Sequence, residues 1–96
     1  MPRSFAFVLC CLVAGCAGQT AADSAQVRAA FDVYQKCLRN YVGSADTDAS
    51  LDPEEVGITL AGYCLQEFSA YRNLSGVDES DNERDATRVV IVKRRN

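Results

Sequence analysis

An apolar stretch near the N-terminus limits this chain more than any other feature, because it decides how much of the sequence is left to fold. Residues 5–14 are uncharged and almost wholly apolar, Arg3 before them is positive, and Asp23 follows soon after. An apolar run of about ten residues behind a positive start is typical of a signal for export, whereas a membrane-spanning helix needs roughly 20. We therefore predict an export signal in residues 1–15, which leaves about 80 residues for one small domain.

The end of the run, Val13-Ala14-Gly15-Cys16, resembles the lipobox of bacterial lipoproteins. In that family the cysteine receives a diacylglycerol on its sulfur, the signal is cut just before it, and the new amino group is often acylated as well. The resemblance implies that Cys16 is the lipid attachment residue and that palmitate-type chains hold the mature protein at a membrane. Stable anchoring needs about two such chains. Val13 stands where leucine is commonest in the family.

The resemblance also implies a location. The protein is expected to be exported and lipid-anchored on the periplasmic side, and small polar residues 16–22 would form a short tether. Ala17 is not the aspartate that retains many lipoproteins at the inner membrane, which favours the outer membrane in a cell with two. An ordinary secretory cut after Gly18 or Ala22 also fits the residues, and Cys16 would then carry no lipid.

The charge and the residue types narrow the function classes. The formal charge of −3 becomes about −4 without Arg3, which disfavours nucleic-acid binding because that function needs a basic patch. Histidine, the commonest general base and metal ligand, is absent. Glu54, Glu55 and Glu67 are the remaining acid–base candidates, but no nucleophile–base pair accompanies them. We predict neither an enzyme nor a cofactor-binding or metal-binding protein.

Two of the five cysteines are predicted to form a disulfide. Cys10 and Cys11 leave with the signal and Cys16 is the expected lipid acceptor, so Cys37 and Cys64 remain as an even pair. Disulfides are the default state of such pairs in exported proteins. A zinc or redox site is disfavoured, because the chain has no histidine and the two cysteines do not form a C-x-x-C motif.

Two stretches carry apolar residues at helical spacing. The first ends near Gly43 and includes Val27, Ala30, Phe31, Tyr34, Cys37, Leu38 and Tyr41. The second begins at Asp52-Pro53, ends at Asn73 or Gly76, and includes Val56, Leu60, Tyr63, Cys64, Phe68 and Tyr71. Proline favours the first position of a helix and aspartate its cap. We predict an all-α fold in which residues 23–73 form an antiparallel helical hairpin stapled by the disulfide. Ala61 and Gly62 are expected to admit the partner helix closely.

Residues 74–96 are predicted to contain a possible short third helix and a basic tail. The segment Ser80-Asp81-Asn82-Glu83 has the pattern of a capping box, whereas residues 89–92 are β-branched and favour extended structure. Both interpretations fit, and we favour the helix because no second strand is visible. Lys93-Arg94-Arg95 is expected either to be solvated or to contact anionic lipid headgroups.

The function expected from these features is that of a small, non-catalytic envelope protein that docks another envelope protein. Tyr34, Tyr41, Tyr63 and Tyr71 lie at the edges of the helical stripes, where they fit either a docking surface or the border of the core. The alternative is a periplasmic protein that binds a small ligand or a cation.

Residues 44–52 supply the carboxylates for that alternative, with Asp46, Asp48 and Asp52 alternating along the loop. The EF-hand template requires glycine at its sixth position and glutamate at its twelfth, where this chain has Leu51 and Gly57. We therefore predict a solvated loop here.

Overall fold

The computed structural model describes residues 23–96, which form four α-helices. These are α1 (Ser24–Ala45), α2 (Pro53–Tyr63), α3 (Leu65–Ser75) and α4 (Asp81–Arg95). No β-strand occurs within residues 23–96, which confirms the all-α class and resolves the third segment as a helix of 15 residues. The predicted signal, Cys16 and the tether lie outside the described residues.

The helix ends follow the sequence signals in part. Asp23 Oδ1 accepts a hydrogen bond from Ala25 N at 3.2 Å and so caps α1. Pro53 begins α2 as predicted. Gly76 ends α3 with a φ of +76°, a left-handed conformation that favours glycine. The capping box at Ser80 is not formed, because the backbone of Ser80 is helical (φ −69°, ψ −13°) instead of extended as a cap requires. Ser80 Oγ donates to Asp78 Oδ2 at 2.6 Å.

The predicted second helix is broken at Cys64, where the structure corrects the sequence analysis. Cys64 has φ −112° and ψ 22°, outside the helical range, and separates α2 from α3. The break gives the two halves different partners. α2 packs mainly on α4, whereas α3 packs on α1. The apolar stripe continues through Cys64, so its periodicity carried no sign of the change in direction.

Side-chain pairs fix the directions of the helices. Phe31 contacts Tyr71 near the end of α3, whereas Cys37, later in α1, is bonded to Cys64 just before α3 begins. α1 and α3 are therefore antiparallel. α4 runs parallel to α1, because the contacts Tyr34–Asn82 and Asp46–Arg94 keep the same spacing in both helices.

α2 and α4 approach each other closely at Gly57. An added Cβ at Gly57 would overlap Thr87 Oγ1 and come within 3.0 Å of the Thr87 backbone. The predicted small pair is therefore only half right. Ala61 is buried in the core, but Gly62 has open space around it and Gly57 is the glycine that the packing requires.

The core lies along α1 from Tyr34 to Val42, and one buried polar residue packs against it. Its buried members are Tyr34, Cys37, Leu38, Val42, Val56, Leu60, Ala61, Cys64, Phe68, Ala86 and Val90. Asn82 is the polar side chain buried against this core. Its Oδ1 accepts from Tyr34 Oη at 2.8 Å and its Nδ2 donates to Ala61 O at 3.1 Å. Asn82 therefore joins α1, α2 and α4 with its hydrogen bonds satisfied.

Candidate functional site

The cysteine pair defines the centre of the candidate site. Cys37 and Cys64 lie at disulfide distance, with 2.12 Å between the sulfurs and 5.9 Å between the Cα atoms. The pairing predicted from the sequence is thus confirmed. The bond joins the middle of α1 to the junction of α2 and α3, where Cys64 is fully buried and Cys37 almost so.

Two of the four predicted tyrosines lie beside the disulfide and are exposed. Tyr41 and Tyr63 are 48% and 50% exposed, and their ring centroids are 5.7 Å apart. Tyr41 follows Cys37 by one helical turn, and Tyr63 immediately precedes Cys64. The disulfide therefore fixes the backbone under both rings.

An apolar strip extends from these rings along α1. Val33 and Tyr41 lie four residues before and after Cys37, and so share its face of the helix. Val33 is 59% exposed. It lines a shallow groove of about 300 Å³ between α1 and α3, together with Ala30, Gln66, Glu67 and Ala70. We call the strip formed by Val33, Tyr41 and Tyr63 the seam surface.

The other two tyrosines do not belong to this surface. Tyr34 is fully buried against Phe68, Tyr71 and Asn82, so it cannot contact a partner. Burial raises the pKa of the Tyr34 phenol well above its usual value. Tyr71 is half-buried and stacks on Tyr34 with ring centroids 5.8 Å apart. For Tyr34 the docking role is therefore wrong, because α3 and α4 together cover its ring.

The acidic loop is bound by basic side chains of α4. Asp46 Oδ1 accepts from Arg94 Nη2 at 2.7 Å, and Asp46 Oδ2 accepts from Arg94 Nε at 3.1 Å and Lys93 Nζ at 3.2 Å. The hydrogen bond from Arg94 lowers the pKa of the Asp46 carboxyl to about 2. Arg94 Nη1 also donates to Leu51 O at 2.9 Å. The basic tail was expected to be solvated or to contact lipid headgroups, but Arg94 closes the loop and Lys93 shares Asp46 with it.

Asp48 is likewise engaged within the loop. Its Oδ1 accepts from Ser50 N at 3.0 Å and Ser50 Oγ at 2.7 Å, and these bonds lower the pKa of its carboxyl. Two of the carboxylates on which the cation hypothesis depends are thus already satisfied. Through Arg94, the loop that follows α1 is bound to the C-terminal end of α4.

One further cluster could resemble a metal site. The sulfurs of Cys37 and Cys64 lie within 4.8 Å of a carboxylate oxygen of Glu67. Because the sulfurs are bonded to each other, they offer no thiolate, and a metal requires the deprotonated form.

Comparison with known proteins does not extend this description. No protein-family model, curated protein or solved structure matches the chain. None of the helices in residues 23–96 has both the length and the apolar content to cross a membrane.

Sequence reasoning missed three residues that position the site, namely Gly57, Asn82 and Arg94. Gly57 entered the sequence analysis only as a mismatch to the EF-hand template, and Asn82 only as part of a capping box. A pattern confined to one helix cannot show which residue of another helix it meets, and these contacts span 30 to 48 positions of the sequence.

Proposed function

We propose that this protein is a small, lipid-anchored, non-catalytic component of the bacterial envelope that docks another envelope protein through the seam surface. The exposed tyrosine pair beside the disulfide is the observation that carries the proposal. Tyrosine is enriched at protein interfaces and supplies a large contact area with few rotatable bonds.

The rigidity of the seam surface supports a docking role. Ordering side chains and loops at an interface weakens binding, and a preorganised surface avoids part of that loss. Here one ring belongs to α1 and the other to α2, and the disulfide holds the two helices together at that point. Val33 extends the contact along α1 by about two turns.

The proposed anchor rests on Cys16 and the apolar run before it. The intact mass of the protein from the membrane fraction tests it. We expect a chain that begins at Cys16, heavier by its acyl groups and lighter by the two hydrogens lost in the disulfide. After a high-salt wash, which screens contacts between surface charges, the Cys16→Ser variant should leave the membrane fraction whereas the native chain remains. A chain that begins beyond Gly18 and carries no lipid contradicts the anchor.

Site-specific photo-crosslinking tests the docking surface. A benzophenone amino acid at Tyr63 should form a crosslink to one envelope protein of defined mass, and the Tyr41→Ala variant should reduce that crosslink about tenfold, as expected for an interface hot spot. The matched control is the same amino acid at Ile58, which is 55% exposed but faces the groove between α2 and α4. Equal crosslinking from both positions, or none from Tyr63, contradicts the proposal.

A further inference from the structure

The charges of this acidic protein are divided unequally among its helices. α1 and α4 together carry eight basic and four acidic side chains, whereas residues 46–80 carry one basic and eight acidic. Three of these basic residues, Arg39, Arg88 and Lys93, lie together between the two parallel helices. A net charge of −3 conceals this separation.

These three residues border a groove between α1 and α4. It has a volume of about 380 Å³, and its floor is formed by Val42, Val89 and Val92. Its rim is lined by Gln35, Arg39, Arg88 and Lys93. Val92 is nearly half exposed although it is an apolar side chain. Aliphatic side chains bordered by arginine and lysine are the arrangement found at the polar surface of membranes.

The rim cations keep much of their charge available. Arg39 makes no ion pair within residues 23–96. Arg88 has only a long contact of 3.6 Å with Asp85, and its side chain is 67% exposed. Lys93 shares Asp46 with Arg94, which makes the shorter contact with that carboxylate.

We propose that the α1–α4 groove rests on an anionic lipid surface. Phosphate headgroups would pair with Arg39, Arg88 and Lys93, and the upper acyl carbons would contact the valine floor. Along α1 the groove spans Gln35 to Val42, about 10 Å. Anionic phosphates above acyl carbons match the basic rim around the valine floor, and this favours a lipid surface over an apolar helix.

This contact is distinct from the proposed docking surface and faces the other way. Arg39 and Tyr41 are two residues apart and therefore project about 200° apart around α1. With the groove on the lipid, the seam surface and the acidic α2–α3 side point away from the membrane. The contact thus orients the domain in addition to tethering it.

Tryptophan fluorescence can test the orientation, because the chain contains no tryptophan. The Val92→Trp and Tyr63→Trp variants of the full-length chain each place one reporter on one face. Both are reconstituted into vesicles of brominated phosphatidylglycerol or brominated phosphatidylcholine, whose bromine atoms quench nearby indoles. We expect at least twofold stronger quenching at position 92 than at position 63, and only with phosphatidylglycerol.

Charge reversal within the Val92→Trp background shows which groups make the contact. Arg39→Glu should reduce the phosphatidylglycerol-dependent quenching to the phosphatidylcholine level, because each elementary charge near an anionic surface changes binding about fivefold. The matched control is Lys36→Glu, which makes the same change on an exposed side chain of α1 outside the groove, and it should retain more than half of the quenching.

Three results would overturn the inference. They are equal quenching at positions 92 and 63, quenching that does not depend on lipid charge, and equal losses in the Arg39→Glu and Lys36→Glu variants. The Cys16→Ser chain should give the same pattern, so failure of the lipid anchor is distinguished from failure of this contact.

Discussion

The two ends of α1 are held by different kinds of contact. The N-terminal half of α1 packs on α3 through four aromatic rings. Beyond its C-terminal end an ion pair joins the chain to α4, and nearby α2 packs so closely on α4 that no side chain fits between them. The first region, the aromatic end, contains Phe31, Tyr34, Phe68 and Tyr71, with neighbouring centroids 5.1 to 6.4 Å apart. The second, the clamped end, contains Gly57 against Thr87 and Asp46 with Arg94. The disulfide lies between them.

The two regions respond to different kinds of change. The aromatic end is stabilised by buried volume, so removing atoms should harm it most. The clamped end depends on close approach and on charge, so adding one carbon or neutralising one carboxylate should suffice there. The three following predictions test this difference, in order of decreasing effect.

The largest effect is expected from Phe68→Ala at the aromatic end. Phe68 is 2% exposed and contacts the rings of Tyr34 and Tyr71. Truncating such a side chain should lower the free energy of unfolding by about 3 to 5 kcal/mol, measured by urea denaturation. The control Leu65→Ala changes a residue that is 58% exposed and should cost less than about 0.5 kcal/mol. Similar losses in both variants would mean that the aromatic contacts do not stabilise this end of the protein.

A smaller effect of the opposite kind is expected from Gly57→Ala at the clamped end. The added methyl group overlaps Thr87, so the free energy of unfolding should fall by about 1 to 3 kcal/mol. The matched control is Gly62→Ala, five residues later in α2, where nothing lies within 4 Å of the new Cβ. There alanine should stabilise the helix by up to about 1 kcal/mol. If the two variants change stability in the same direction, the close approach of α2 and α4 is wrong.

The smallest effect concerns pH. The pKa of Asp46 is lowered from 3.8 to about 2 in the folded protein, so the ionised carboxyl stabilises the fold above about pH 4. That contribution is lost as the pH falls through about 2. The urea midpoint of the native chain should therefore decline more over this range than that of the Asp46→Asn variant. Asp32→Asn, an exposed carboxylate outside the ion pairs of residues 23–96, should leave the decline unchanged.

The sequence was sufficient for the parts of the fold that depend on local order. Helical spacing located α1, Asp52-Pro53 located the start of α2, and counting the cysteines left Cys37 with Cys64. Each of these inferences uses residues within one stretch or a pairing with no competitor. The residues of the aromatic end could accordingly be predicted to pack together, because they lie on the predicted apolar stripes.

The clamped end could not be predicted in the same way. The approach of Gly57 to Thr87 depends on knowing that α4, rather than α1, is the partner of α2. The pair Asp46–Arg94 joins positions 48 residues apart, in segments that read as a solvated loop and a free tail. Tyr34 and Tyr41 share one stripe of α1, yet only the first is covered, by side chains of α3 and α4. The position of a residue within a helix therefore predicts the side of the helix on which it lies, but not which other element packs on that side.

The burial of the disulfide governs how a reductant reaches it. Cys64 is fully buried and Cys37 is 8% exposed, at the point where α1, α2 and α3 converge. Thiol exchange requires in-line access to a sulfur, so attack must await a local opening that parts α1 from the α2–α3 junction. Once the bond is cleaved, the same event frees the directions of three helices, and the tyrosine pair loses the brace that keeps its two rings in register.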